Sequence, residues 1–150
     1  MPDEVVPSFG APGMTANRKR PIMKILLTLA SSLFIAATLS AADFPDITIA
    51  DLKTAIQAKQ VTVIDVNGTD SYKSGHIPGA LDYDTVKDDL TKLLPKDKNA
   101  LVVAYCGGPR CGAYQAAAKA AKKLGYKNVK HLSAGISGWK EANEKLDKTS

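Results

Sequence analysis

The chain has 150 residues, 45% of them hydrophobic and 6% aromatic, with a net charge of +5 at neutral pH. That is enough for one domain with its own core, and two cysteines are too few for a small scaffold held together by disulfides. From Asp43 onward sixteen Lys and Arg face thirteen Asp and Glu, with no basic stripe interleaved with aromatics, so nucleic acid is not an expected partner.

Arg18, Lys19, Arg20 and Lys24 precede an uncharged stretch, residues 25–42, that ends in Ser40-Ala41-Ala42. A positive region, an apolar region and small residues before a cleavage point describe a secretory signal peptide, so residues 1–42 are read as an N-terminal extension with an export signal cut after Ala42, and 43–150 as the domain. Residues 1–13 are acidic and proline-rich, unlike the start of a signal peptide, which makes Met14 and Met23 alternative starts. Threonines, serines and alanines make the apolar stretch a poor membrane anchor. The expected location is the bacterial periplasm, with no stable membrane association after cleavage.

Within the domain, residues 46–49 read as a short edge strand and 50–57 as a helix with Leu52, Ile56 and Ala55 inward. Residues 61–66 form a second, apolar strand, closed by the turn signal Asn67-Gly68. Residues 70–74 suit one helical turn, 75–80 an irregular link and 81–83 a short strand. Val86, Leu90, Leu93 and Leu94 then repeat at helical spacing up to Pro95. Residues 100–105 are a buried strand by length and β-branching. The spacing of Ala113, Ala117, Ala120, Ala121 and Leu124 predicts a helix, with Lys119, Lys122 and Lys123 near its end and Gly125 just past it. Residues 128–132 make a further strand, and 135–146 a terminal helix in which Trp139 packs on the sheet. Strands and helices alternate, and several strands are too apolar to have a wet face, which implies a parallel sheet covered on both sides. Ligands of such sheets gather at the carboxyl ends of the strands.

Cys106 stands at one such end, followed by Gly107-Gly108-Pro109-Arg110-Cys111 and a helix N-terminus. Unsatisfied N–H groups and the positive end of the helix dipole favour sulfur as an anion there, and the thiolate is the nucleophile. Gly107 and Gly108 let the backbone curl with its N–H groups inward, Pro109 stiffens the turn, and Arg110 adds a permanent positive charge for an anionic substrate. The plainer alternative is a buried small side chain at a strand end. Two cysteines, with His76 and His131 remote in sequence, do not make a zinc site.

Four stretches carry a resemblance to a known family: Val63-Ile64-Asp65-Val66; Tyr72-Lys73-Ser74-Gly75-His76-Ile77-Pro78-Gly79-Ala80; Val102-Val103-Ala104-Tyr105-Cys106; and Gly125-Tyr126-Lys127-Asn128-Val129 leading to Gly135-Ile136-Ser137-Gly138-Trp139. In their order and spacing, residues 47–145 resemble a single rhodanese domain, a sulfurtransferase module. The resemblance implies an α/β rhodanese-like three-layer sandwich, with a central parallel five-stranded sheet and helices on both faces. It also implies Cys106 as the residue that carries sulfur. A thiolate would take sulfur from a small sulfur-containing anion such as thiosulfate, or from a persulfide donor, and pass it to a thiol acceptor or cyanide, with no metal or organic cofactor. The sequence departs from the family pattern at Asn67, where arginine is usual, and at Cys111, where catalytic members often carry arginine. Asp65 is expected to orient backbone or a polar neighbour, and His76 to fix its loop by hydrogen bonds rather than act as a base.

Three other functions compete. A phosphatase or arsenate reductase loop of type Cys-x5-Arg is disfavoured, because Gly112 stands six positions after Cys106 and Arg110 only four. Cys106 and Cys111 could instead form a reversible disulfide in thiol–disulfide chemistry; the Cys-x4-Cys spacing also makes Cys111 a candidate resolving thiol within the first reading, attacking the Cys106 persulfide, releasing sulfide and closing the disulfide, if the Cα atoms come within about 7 Å. A non-catalytic binding module of the cell envelope is the third.

Overall fold

The computed structural model describes residues 44–149, so the expected leader, its expected cleavage point and the alternative starts fall outside the described residues. Ten elements follow in chain order: α1 (Ile49–Gln57), β1 (Val61–Asp65), α2 (Thr69–Ser74), β2 (Leu81–Asp82), α3 (Tyr83–Val86), α4 (Leu90–Leu93), β3 (Leu101–Tyr105), α5 (Tyr114–Lys123), β4 (Val129–His131) and α6 (Gly135–Glu141). The four strands form one parallel sheet in the order β2-β1-β3-β4. No helix among the described residues is long and apolar enough to cross a membrane.

The sheet therefore has four strands rather than the five that the resemblance implies. What was expected as the edge strand, residues 46–49, is a single parallel bridge of Asp46 to His131, with Ile47 N–H donating to His131 C=O and His131 N–H to Pro45 C=O, both at 2.9 Å. Thr48 ends it. Its hydroxyl accepts from Asp51 N–H at 3.1 Å and caps α1, which takes the chain off the sheet edge. The same device shortens β2, where the Asp82 carboxylate accepts from Asp84 N–H and starts α3 at Tyr83. The single helix expected across Val86 to Leu94 is two short ones, and Leu93 is left 47% exposed while Leu90 and Leu94 are buried. The terminal helix stops at Glu141, because Asn143 takes φ 55° and turns the chain back.

Side chains alternate between two cores, one on each face of the sheet. Val63, Val103 and Tyr105 pack with Leu52, Ile77, Leu132, Ile136 and Trp139 under α1 and α6. Ile64, Val102, Ala104 and Cys106 pack with Ala117, Ala118, Ala121 and Tyr126 under α5. The register Val63↔Val103 and Ile64↔Ala104 keeps like with like across the central pair. Small alanines let α5 lie close on the sheet, and Gly125 after it closes the helix with Tyr126 N–H to Ala121 C=O and Gly125 N–H to Lys122 C=O. Each Leu, Ile or Val fully withdrawn from water contributes about 1.5–3 kcal/mol before entropy is charged against it. Two covered faces make the four strand ends rigid platforms for the loops that follow them.

Candidate active site

Cys106 leaves β3 on the α5 face and is 3% exposed. Its Sγ is bonded to Cys111 Sγ, with Cα atoms 6.2 Å apart, inside the range a disulfide requires. Between them the chain makes a tight turn in which Cys111 N–H donates to Gly108 C=O at 2.9 Å. Pro109 occupies the second position of that turn, where its fixed φ fits.

The first two carbonyls of the loop are held by α6. Ile136 N–H donates to Cys106 C=O at 2.9 Å, and Ser137 N–H to Gly107 C=O at 3.0 Å. The amides left over at the start of a helix are thereby satisfied by the loop. A trans peptide holds its C=O and N–H antiparallel, so the N–H groups of Gly107 and Gly108 point away from the α6 amides that hold the Cys106 and Gly107 carbonyls. Those two amides, with those of Arg110 and Gly112, donate to no protein acceptor among the described residues.

This contact needs Gly135. Its φ is +59°, and a Cβ there would lie 2.5 Å from Cys106 O and from Gly108 N. Gly108 is likewise confined, since a Cβ would meet Ser137 Oγ at 2.5 Å. Neither Gly107 nor Gly108 takes a positive φ, so the expectation that their conformational freedom curls the loop is corrected: the left-handed residue is Gly135, on the other side of the contact. Gly108, Pro109, Arg110, Cys111 and Ser137 line an open cavity of about 380 Å³. Arg110 is exposed, and no carboxylate pairs with it among the described residues.

Asp65 ends β1 beside the loop and is 1% exposed. One carboxylate oxygen accepts from Asn67 N–H and from the Asn67 side-chain amide, both at 2.7 Å; the other accepts from Tyr105 O–H at 2.5 Å. Tyr105 O in turn accepts from Ile77 N–H at 3.0 Å, which ties the chain after His76 to β1 and β3. Burial and the adjacent carboxylate push the Tyr105 phenol above its usual range, so it stays a donor. His76 is buried, its Nδ1 2.8 Å from Tyr72 O and its ring stacked on Tyr72 at 3.7 Å. Its backbone pairs with Asp147. None of these partners is in the Cys106 loop.

The family profile of the rhodanese-like domain matches residues 48–142, more than half of the chain. The chain belongs to the rhodanese-like domain family. This rhodanese-like domain is 34% identical over 102 residues to the HTH-type transcriptional regulator Rv0324 of Mycobacterium tuberculosis, covering 67% of this chain and 44% of the regulator. It thus spans less than half the length of that relative. It is 29% identical over 103 residues to the thiosulfate sulfurtransferase GlpE of Shewanella oneidensis, covering 67% of this chain and 96% of GlpE. The crystal structure of the BH2092 protein from Bacillus halodurans superposes with a TM-score of 0.55 at 30% identity, over 71% of this chain and 78% of that one.

Within this rhodanese-like domain, the Asp65 carboxylate is satisfied by the backbone and side-chain amides of Asn67 and by the Tyr105 phenol. Two residues of the neighbourhood carried no signal in the sequence. Ser137 is one; only its position in the first turn of a glycine-flanked helix marks it. The other is His131, whose ring stacks at 3.7 Å on Tyr114, the first residue of α5. Its Nδ1 is buried with no partner, and burial lowers its pKa while Asp46 opposes the shift. Among the described residues no group of three His, Cys, Asp or Glu side chains is placed to hold a metal ion.

Proposed function

We propose that this rhodanese-like domain is a sulfurtransferase whose nucleophile is Cys106 in its reduced form. The thiolate attacks the outer sulfur of a small anionic donor, thiosulfate or a persulfide, and the S–S bond of the donor breaks. The leaving group, sulfite in the case of thiosulfate, departs with the electron pair and leaves a Cys106 persulfide. A thiol or cyanide then takes the outer sulfur and returns Cys106 to thiolate. The observation that carries this reading is the loop itself: α6 holds the Cys106 and Gly107 carbonyls, and the Gly107 and Gly108 amides next to Cys106 in the chain are left without acceptors among the described residues. Such donors stabilise a sulfur anion as an oxyanion hole stabilises oxygen. Arg110 at the rim favours an anionic donor. No metal or organic cofactor enters the reaction, and acceptors are thiols rather than nucleic acid.

The leader-like pattern of residues 18–42 supports reading the protein as exported to the bacterial periplasm and free of the membrane after cleavage. The Cys106–Cys111 bond favours a second reading, a thiol–disulfide redox protein. Mass spectrometry separates the two. Reduced protein is exposed to thiosulfate and, in parallel, to glutathione persulfide, with Cys106→Ser as control. Stoichiometric uptake of sulfur, read as mass retained by Cys111→Ser from either donor and as sulfite released from thiosulfate by wild type, and never seen in Cys106→Ser, is the expected result. No uptake from both donors, with ready exchange against small disulfides, would leave the second reading in its place.

A further inference from the structure

We infer that Cys111 is a resolving thiol, which gives the domain a second activity: reduction of the Cys106 sulfane sulfur to sulfide. This rests on the sulfurtransferase reading, because it needs the Cys106 persulfide as its substrate. Cys111 Sγ is bonded to Cys106 Sγ with the two Cα atoms 6.2 Å apart, so the native loop brings the second thiol to the inner sulfur of a persulfide. The turn that does this is closed by Cys111 N–H to Gly108 C=O and stiffened by Pro109, which holds Cys111 facing back at Cys106 rather than out along α5.

The step balances within the protein. Cys111 thiolate attacks Cys106 Sγ, the Sγ–S bond to the outer sulfur breaks, and hydrosulfide leaves with the electron pair. The outer sulfur is reduced by two electrons, and the two cysteine thiols are oxidised to the disulfide. The proton that Cys111 gave up is the one the expelled sulfur carries as hydrosulfide.

The disulfide so formed has two unlike halves. Cys106 is 3% exposed, whereas Cys111 is only partly buried and lines the open cavity with Arg110 and Ser137. An external dithiol therefore reaches Cys111 Sγ, forms the mixed disulfide there and expels Cys106 as the leaving group. Cys106 is the sulfur expelled, because burial shields it from the incoming dithiol. A dithiol protein or small dithiol of the same compartment resets the cycle and becomes disulfide in doing so. The net activity converts sulfane sulfur and a dithiol to sulfide and a disulfide.

The test is a single turnover of the full reduced chain with a slight excess of thiosulfate, free of any added thiol, followed by alkylation and intact mass. A parallel arm uses inorganic tetrasulfide. Sulfite release counts loading in the first arm, and sulfide release counts resolution. The expected result is roughly one sulfide per sulfite in wild type, with the chain recovered as the disulfide, and at least about tenfold less sulfide from Cys111→Ser, which keeps its added sulfur. Cys111→Ala repeats the comparison should the serine variant fold poorly. A wild-type chain that keeps its added sulfur as long as Cys111→Ser does would overturn the resolving role and leave the transferase reading standing. Equal sulfide from both proteins would also overturn it. Failure of every protein to load sulfur in either arm removes both readings together.

Discussion

Replacing Gly135 by alanine perturbs the contact that orients the Cys106 loop without touching the loop. The new methyl would sit 2.5 Å from Cys106 O and Gly108 N and 2.7 Å from Gly107 C, all of them backbone atoms that cannot rotate away. A left-handed alanine costs about 1–2 kcal/mol, since φ is +59° here. Moving backbone apart to relieve the clash adds about 1–3 kcal/mol. Loss of the bonds from Ile136 and Ser137 N–H would add about 1 kcal/mol each. These terms overlap, because relaxation that relieves the clash also lengthens the bonds, and the expected loss is about 3–5 kcal/mol out of a typical total of 5–15. A loop displaced by about 1 Å would lower the sulfur-loading rate on the order of 100-fold. Urea unfolding of the oxidised protein gives the first quantity, and sulfite release from reduced protein gives the second. The comparison is Gly107→Ala, where the nearest atom to a new Cβ is Asn67 Oδ1 at 3.8 Å, and which should stay within about 1 kcal/mol of wild type. If Gly135→Ala unfolds within that same margin and loads sulfur at the wild-type rate, α6 does not position the loop and the argument from its amides fails.

Tyr105→Phe leaves a carboxylate oxygen of Asp65 and the Ile77 N–H without their buried partner, and should lower stability by about 1–3 kcal/mol in denaturant titration. An unchanged midpoint would mean that water replaces the phenol. Reducing the Cys106–Cys111 bond, which closes a loop with a sequence separation of only 5, should cost about 2 kcal/mol by chain entropy, read as a lower melting temperature with reductant that Cys111→Ser does not show. His131 gives a pH signature. Its pKa is lowered in the folded state, so the unfolded chain binds the extra proton below the ordinary value of 6.5, and the stabilisation present above that value is lost as the pH falls below it toward the lowered folded-state value. Urea midpoints of wild type should fall over that window and those of His131→Phe should not; parallel curves would show that another group titrates.

Strand positions were legible because two covered sheet faces demand runs such as residues 61–66 and 100–105, and the alanine spacing of α5 left one face for the sheet. Ends were less legible. Thr48 and Asp82 act as helix caps through side-chain bonds to amides two or three residues on, a local competition that overrides the strand pattern before it. The loss of the expected fifth strand follows from the first of these. Asn143 turned the last helix in the same way, by a backbone angle that periodicity does not encode.

At the site, the sequence marked Cys106 and its loop through the change from strand to glycines, and Asp65 through a carboxylate at the end of an apolar run. It could not show that Gly135, 29 positions after Cys106, is the residue whose φ and missing Cβ set the loop's direction. Nor could it pair Asp65 with Tyr105, since the phenol reads from sequence as one more core residue of β3. Both are contacts between strand ends and remote segments, fixed by topology rather than spacing. Spacing left the bond between Cys106 and Cys111 open, and the turn at Pro109 closes it.

The proposed chemistry requires the loop to keep the Cys106 sulfur negative. A titration of reduced Cys111→Ser, following thiolate absorbance and the rate of alkylation of its single remaining cysteine from pH 4 to pH 10, measures it directly. Ionisation is expected well below the ordinary cysteine value of about 8.5, with Gly135→Ala moved back toward it. A thiol that still holds its proton above pH 8 would contradict it.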